Sequence, residues 1–313
     1  MRVYILMILL CQFLFISSAT MIDYIKKLKL NDSNKVLIKD PDEINRKIEK
    51  LIEGGYTKLQ VISDYDKTIT KQHVNGKTQF HAFDLFKQCP SISQEIRDFL
   101  TALTNKYAVI DKDPNLSHAE RSKHMDEWWN KTIEAYKGLK ISQEEIEKTC
   151  LEFGPPLRDN VKELFEVLKQ GNVPVLLLSG GIGDCLEPSL RISGINGSNI
   201  ELVANYIKRD NEGRIQDYKA PPIHTVNKNE YIKNTQHYKK HTNRPNVLLM
   251  GDHLGDAQMV NSLEHVGTVI KIGFSYNEAE VVLPTWLNTF DIVLKDDQSM
   301  NVPKAIVELL KKE

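Results

Sequence analysis

The chain has 313 residues, 41% of them hydrophobic and 27% charged, an ordinary globular composition sufficient for one large domain or two modest ones. A net charge of −1 removes any global electrostatic pull toward nucleic acid or acidic membranes. There is no internal repeat and no low-complexity tract.

The first nineteen residues differ from the rest. Arg2 is followed by an apolar run from Val3 to Ile16, and Ser17, Ser18 and Ala19 close it. This pattern predicts a signal peptide, or failing cleavage a membrane anchor, and hence a secreted or lumenal protein, with a cytoplasmic one as the alternative. Four Asn-x-Ser/Thr sequons, at Asn31, Asn115, Asn130 and Asn196, are compatible with secretion. Beyond the leader only Cys89, Cys150 and Cys185 remain, which is no disulfide scaffold and allows one bridge at most.

Next, Asp42 to Glu53 carries Ile44, Ile48, Leu51 and Ile52 on one stripe and stops at Gly54-Gly55, which predicts a helix. Leu59 to Ser63 reads as a buried strand. From 76 to 154 there are no strong strand runs, and 84–87, 93–106, 117–136 and 142–153 have helical periodicity. Another helix is expected over 160–170, stopped by Gly171, then strands over 173–178, 247–250, 268–272 and 292–294. Strands alternating with helices predict an α/β core with a parallel sheet, made of residues 20–75 and 155–313 and interrupted by a helical module over 76–154.

Three polar clusters fall at strand ends: Asp64 and Asp66 in VISDYDKTIT, Ser179-Gly180-Gly181 in VLLLSGG, and Asp252 and Asp256 in GDHLGD. In an open α/β sheet that edge is where ligands bind. Taken singly, each cluster is more simply a turn. Together, four carboxylates converging in a low-dielectric crevice call for a hard cation, and Mg²⁺ is the usual choice beside phosphate. A lysine is also wanted to pair with phosphate; by position alone Lys219, Lys228 and Lys233 are equivalent candidates.

The combination resembles the haloacid dehalogenase superfamily of phosphotransferases: DYDKT is similar to its first motif, LLLSGG to its second and GDHLGD to its fourth. The resemblance implies a Rossmannoid core with a helical cap inserted after the first core strand. Asp64 would be the nucleophile, Asp66 the general acid and base, and Ser179 and Gly180 the phosphoryl holders. Asp64, Asp66 and Asp252 would be the Mg²⁺ ligands, with Asp256 in support. From about Thr57 onward the chain more narrowly resembles the cytosolic 5′-nucleotidase III, or pyrimidine 5′-nucleotidase, family through VISDYDKTIT, KYAVIDKDP, HMDEWWNKT, VPVLLLSGGIGDCLE, IHTVNKNE and VLLMGDHLGDAQM. That likeness implies hydrolysis of nucleoside 5′-monophosphates such as CMP and UMP, with 7-methyl-GMP taken by some relatives. It selects Lys228 as the lysine and places Asp111 and Thr132 against the substrate. It departs from the family at Asp111, where the pattern has Glu, and at Gly180, where it has Ala. Phe80 and Phe83 are equally candidates for base stacking and for cap core, and Trp128 and Trp129 read as structural.

The expected partner is a small nucleotide, not a nucleic acid polymer. The chain is expected to be a monomer, with membrane contact only through an uncleaved leader. An active enzyme is expected to leave Asn130 bare, because a glycan there would crowd Thr132. The rival readings are a phosphatase or phosphotransferase for another small ester, and a secreted nucleotide-binding protein without turnover.

Overall fold

A computed structural model describes residues 22–30, 33–113, 115–276 and 282–311. The leader and the Asn31 sequon lie outside the described residues. The core is a seven-stranded sheet. In chain order its strands are β1 (Val36–Ile38), β2 (Leu59–Ser63), β5 (Val175–Ile182), β6 (Ile200–Asn205), β9 (Asn246–Gly251), β10 (Val269–Ser275) and β11 (Ile292–Lys295). They lie in the order β1-β11-β10-β9-β2-β5-β6, all parallel except β1, which pairs antiparallel with β11.

Every residue of β2 and β9 is buried, as expected of strands covered on both faces. Helix α2 (Pro41–Gly54; α1 is Tyr24–Lys27) covers one face through Ile44, Ile48 and Leu51. Its start and stop are written locally: Asp40 accepts the Glu43 N–H, Pro41 opens the first turn, and Gly55 takes φ 59° beyond its end. Helices α7 (Val161–Gln170) and α12 (Asn301–Glu308) pack on each other.

After β2 the chain makes a small hairpin, β3 (His73–Val74) and β4 (Lys77–Thr78). It then enters the helical module: α3 (Ala82–Phe86), α4 (Gln94–Asp111), α5 (His118–Tyr136) and α6 (Gln143–Phe153). Ser93, Ser117 and Ser142 each accept a backbone N–H three residues on, so the three long helices start where the sequence supplies a cap. A second hairpin, β7 (Ile207–Arg209) and β8 (Ile215–Tyr218), reaches from the core to the module. Gly138 N–H donates to the Ile215 carbonyl and Ile215 N–H to that of Leu139, both at 2.9 Å.

The chain leaves the core and returns to it side by side. Lys71 N–H donates to the Pro156 carbonyl at 2.8 Å and Arg158 N–H to that of Ile69 at 3.0 Å. Helix α4 runs on to Asp111 rather than stopping at Lys106, and β5 runs through the Ser-Gly-Gly stretch rather than ending before it. The three cysteines are buried and free, with the Cys150 thiol 3.5 Å from the Cys185 carbonyl.

Candidate active site

The three motif strands are neighbours in the sheet, β9-β2-β5, so their C-terminal ends present the carboxylates to one crevice. Asp64 follows β2 and donates its backbone N–H to Met250 O at 3.0 Å. Lys228, the first residue of α9 (Lys228–Ile232), lies buried between two acids: its Nζ is 2.5 Å from Asp64 Oδ1 and 2.7 Å from Asp256 Oδ1. Of the three lysines open on sequence grounds, Lys228 is the one in the site; Lys233 pairs with Glu264 at the surface. Burial works against the Lys228 charge, but Asp256 and Asp64 more than offset it and hold its pKa above the ordinary lysine value.

Asp64, Asp252 and Asp256 each bring a carboxylate oxygen within 4.8 Å of the others. Burial, then mutual repulsion, pushes Asp252 well above the usual carboxylate range; Asp64 is also raised, chiefly by burial. A cluster of this kind, all oxygen, can hold a hard cation. Asp256 Oδ2 also accepts the backbone N–H groups of Asp252 and His253, at 3.1 and 2.9 Å. Asp256 is therefore part of the cluster as well as its scaffold.

The expected ligand set included Asp66, but the structure turns that carboxylate elsewhere. Both of its oxygens accept the Ala82 N–H at 3.0 Å, at the start of α3. Burial, then the neighbouring Asp64 charge, raises its pKa to about 7. Gly181 makes this contact possible: a Cβ there would lie 2.8 Å from Ala82 Cβ and 3.0 Å from Asp66 Oδ2. At Gly180 the nearest atom to an added Cβ is Ile223 O, at 3.3 Å. Gly181→Ala is therefore expected to lower kcat by about 10²-fold by displacing Asp66, while Gly180→Ala stays near wild type; steady-state kinetics of the two compare them directly.

Ser179 is buried and its Oγ accepts the Gly181 N–H at 2.9 Å. Asn205, at the end of β6, was not a sequence candidate. Its side chain donates to Gly180 O at 2.9 Å and Ile223 O at 2.8 Å and accepts from Ile223 N–H at 2.7 Å, fixing the Ser179 loop to the segment leading to Lys228.

The helical module closes on this edge through a polar seam. Thr225 Oγ1 donates to Asp111 at 2.9 Å, and His253 Nε2 lies 3.7 Å from it. His118 Nε2 is 3.0 Å from the Val226 carbonyl. His224 accepts the Val226 N–H at Nδ1, so its proton sits on Nε2, 3.4 Å from Asp126 Oδ1. Thus the structure places Asp111 beside Thr225 and His253, residues inside the IHTVNKNE and GDHLGD stretches that were not themselves singled out. Thr132 is fully buried and its hydroxyl donates within the helix to Trp128 O at 2.9 Å. Phe83 is buried against Trp128 and Trp129, with ring centroids 5.4 and 5.7 Å away, whereas Phe80 is exposed. Trp129 is core and Trp128 is half-buried; among the described residues neither indole N–H has a partner. A groove of about 980 Å³ on the module, lined by Ile96, Phe99 and Asp126, holds none of the clustered carboxylates; their geometry, not cavity size, locates the site.

A model of the pyrimidine 5′-nucleotidase (UMPH-1) family matches residues 67–311. The chain belongs to that family. A 7-methylguanosine phosphate-specific 5′-nucleotidase of Drosophila melanogaster is 34% identical over 280 residues, 88% of this chain and 87% of its own. A crystal structure of cytosolic 5′-nucleotidase IIIB bound to cytidine superposes with a TM-score of 0.86 at 31% identity, covering 91% of this chain and 97% of that one. A Caenorhabditis elegans relative named as a cytosolic 5′-nucleotidase 3 is 30% identical over 88% of this chain and 75% of its own. This pyrimidine 5′-nucleotidase family member is thus a phosphoric monoester hydrolase on a haloacid dehalogenase-like fold.

The relatives correct the expected localisation. Both cytosolic names stand against a secreted or lumenal protein, and the signal-peptide reading of residues 1–19 falls with it. An apolar run closed by small residues meets a compositional rule without specifying a destination. Among the described residues no helix is long and apolar enough to cross a membrane. The expectation of a bare Asn130 loses its basis as well.

Proposed function

We propose that the chain hydrolyses nucleoside 5′-monophosphates through a phosphoenzyme on Asp64, with Mg²⁺ as the cation. The observation that carries this is the buried Asp64–Lys228–Asp256 array beside Asp252, with Asp66 held apart from it on the Ala82 N–H. Three clustered oxygens fit a hard divalent ion, which when bound would neutralise charge on the phosphoryl group.

Lys228 holds the Asp64 carboxylate in place and supplies positive charge to the phosphate. Asp64 Oδ attacks phosphorus, the bond to the nucleoside O5′ breaks, and Asp66 gives that oxygen its proton. Its raised pKa, about 7, keeps a protonated fraction at neutral pH. Asp66, now a carboxylate, takes a proton from water; the resulting hydroxide attacks phosphorus and the bond to Asp64 breaks. Inorganic phosphate leaves, and Asp66 ends protonated as it began. Ser179 Oγ accepts from Gly181, which leaves its O–H to donate to a phosphoryl oxygen.

Asp111 is the group that reads the base. A carboxylate has lone pairs beyond those engaged by Thr225, and it suits bases that present donors: the cytosine amino group, the uracil N–H, and the N–H pair of 7-methylguanine. The positive ring of 7-methylguanine further suits an acid at this position.

The test is phosphate release from CMP, UMP, 7-methyl-GMP, AMP and simple phosphomonoesters, with Mg²⁺ and with EDTA. Release from the first three, abolished by EDTA and restored by Mg²⁺, is expected. Turnover confined to non-nucleotide esters, or indifferent to EDTA, would overturn the reading.

A further inference from the structure

Arg158 is 2% exposed, yet among the described residues no carboxylate pairs directly with its guanidinium. Its donors go to backbone carbonyls: Nε to Thr68 O at 2.8 Å, Nη2 to Lys67 O, and Nη1 to Asp297 O. Its guanidinium carbon lies 4.2 Å from the centroid of the Phe274 ring. A buried charge without a counter-ion is costly, and charge-assisted bonds to carbonyls are what recover that cost here.

Two of those carbonyls belong to the turn that follows Asp66. Lys67 there has φ 57°, the left-handed region that a residue with a side chain rarely adopts. Such a conformation costs on the order of 1–3 kcal/mol and persists only when its surroundings hold it. The holding groups are Thr70 Oγ1, which accepts the Lys67 N–H at 2.8 Å, the Tyr65 carbonyl, which accepts the Ile69 N–H at 2.8 Å, and the Arg158 guanidinium, which takes the Lys67 and Thr68 carbonyls. The third carbonyl, of Asp297, ties the same guanidinium to the loop after β11.

We propose that Arg158 is a positioning residue: by clamping the Lys67 and Thr68 carbonyls it holds the strained turn that sets Asp64 and Asp66 on opposite sides of the phosphorus. The proposal rests on the reading of that pair as nucleophile and acid. It touches no substrate, so it governs the rate of the chemical step and not the binding of the nucleotide.

The test uses the full chain with Arg158→Met, Arg158→Lys, Lys67→Gly added to each, and Asp64→Asn, all assayed below their Tm values. Arg158→Met is expected to lower kcat by about 10²-fold with KM nearly unchanged, the signature of misplaced reacting groups. Lys67→Gly, which reaches positive φ without strain, is expected to recover part of the lost kcat. A merely structural arginine would lower Tm and leave kcat alone, or leave the double variant no faster than the single; either result overturns the proposal. Should Arg158→Met not fold, Arg158→Lys with and without Lys67→Gly carries the same comparison. Turnover by Asp64→Asn would overturn the catalytic reading itself; a dead Asp64→Asn beside unimpaired Arg158 variants would overturn the positioning alone.

Discussion

An Asp64→Asn variant is expected to fold, to bind nucleotide and to release no phosphate. The amide keeps the shape and an oxygen that can accept from Lys228, which also retains its 2.7 Å contact to Asp256. What it loses is the nucleophile, because an amide oxygen does not form a phosphoenzyme that water can resolve. Loss of a group acting in covalent catalysis costs on the order of 10⁴-fold or more in kcat. Stability moves the other way. Asp64 is buried beside Asp252 and Asp256, and removing one of three like charges relieves repulsion. In EDTA the variant's Tm is therefore expected to equal or exceed that of wild type. A variant that turns over nucleotide at a tenth of the wild-type rate would refute the assignment.

Lys228→Met is expected to damage both activity and stability. It removes the cation lying between Asp64 and Asp256 and leaves buried charges unpaired, a change that typically costs about 3–5 kcal/mol. For a chain of this size that lowers Tm by roughly 10 °C. At temperatures where the variant remains folded, kcat is expected to fall by about 10²–10³-fold, since a preorganised positive charge has gone from the transition state. The stability loss depends on pH. Asp64 is already raised above 3.8, mainly by burial, and Lys228 opposes that rise. Without the lysine the folded variant binds a proton that the unfolded chain lacks, over a window from the ordinary Asp value up to the raised one. Stability then increases as pH falls through that window and is lost as pH rises. Melting both proteins at about pH 5.5 and about pH 8 tests this; the variant's deficit should shrink at the lower pH, and equal deficits would refute it.

The parallel core was legible because β2, β5, β9, β10 and β11 are short apolar runs bounded by turn residues, and each motif sits at the end of one. The edge strands β1 and β6 were not, because VLI is an apolar run of only three residues, and in IELVAN Glu201 and Asn205 leave neither a continuous run nor a clean alternation. Helix α4 outran its expected end because nothing in NKYAVID breaks a helix, and the five added residues carry Asp111 to the seam. That Asp64 and Asp66 lie at one strand end was legible from their spacing within one segment. Asn205 and the Ala82 N–H were not, and Thr225 and His253 were not singled out within IHTVNKNE and GDHLGD, since each meets the site through tertiary contact that no local pattern records. The split between the metal-type cluster and Asp66 had the same cause: two residues of separation place both carboxylates near one strand end, but only the arrival of α3 decides where the second one turns.

The side-by-side crossing at 69–71 and 156–158 has a consequence for how such an enzyme can change. Both ends of the intervening segment are fastened within one ladder step of each other, so the sheet senses only that they meet. The entropy of closing such an excursion grows slowly with its length, by about 0.6 kcal/mol per doubling. Helices between those two points can therefore lengthen, shorten or be exchanged with little penalty to the sheet, while Asp64, Asp252 and Asp256 stay where the strands put them. Helix α3 is the exception, because its Ala82 N–H holds Asp66; the helices beyond it meet the core at the Asp111–Thr225 and Gly138–Ile215 contacts and are free to vary between them.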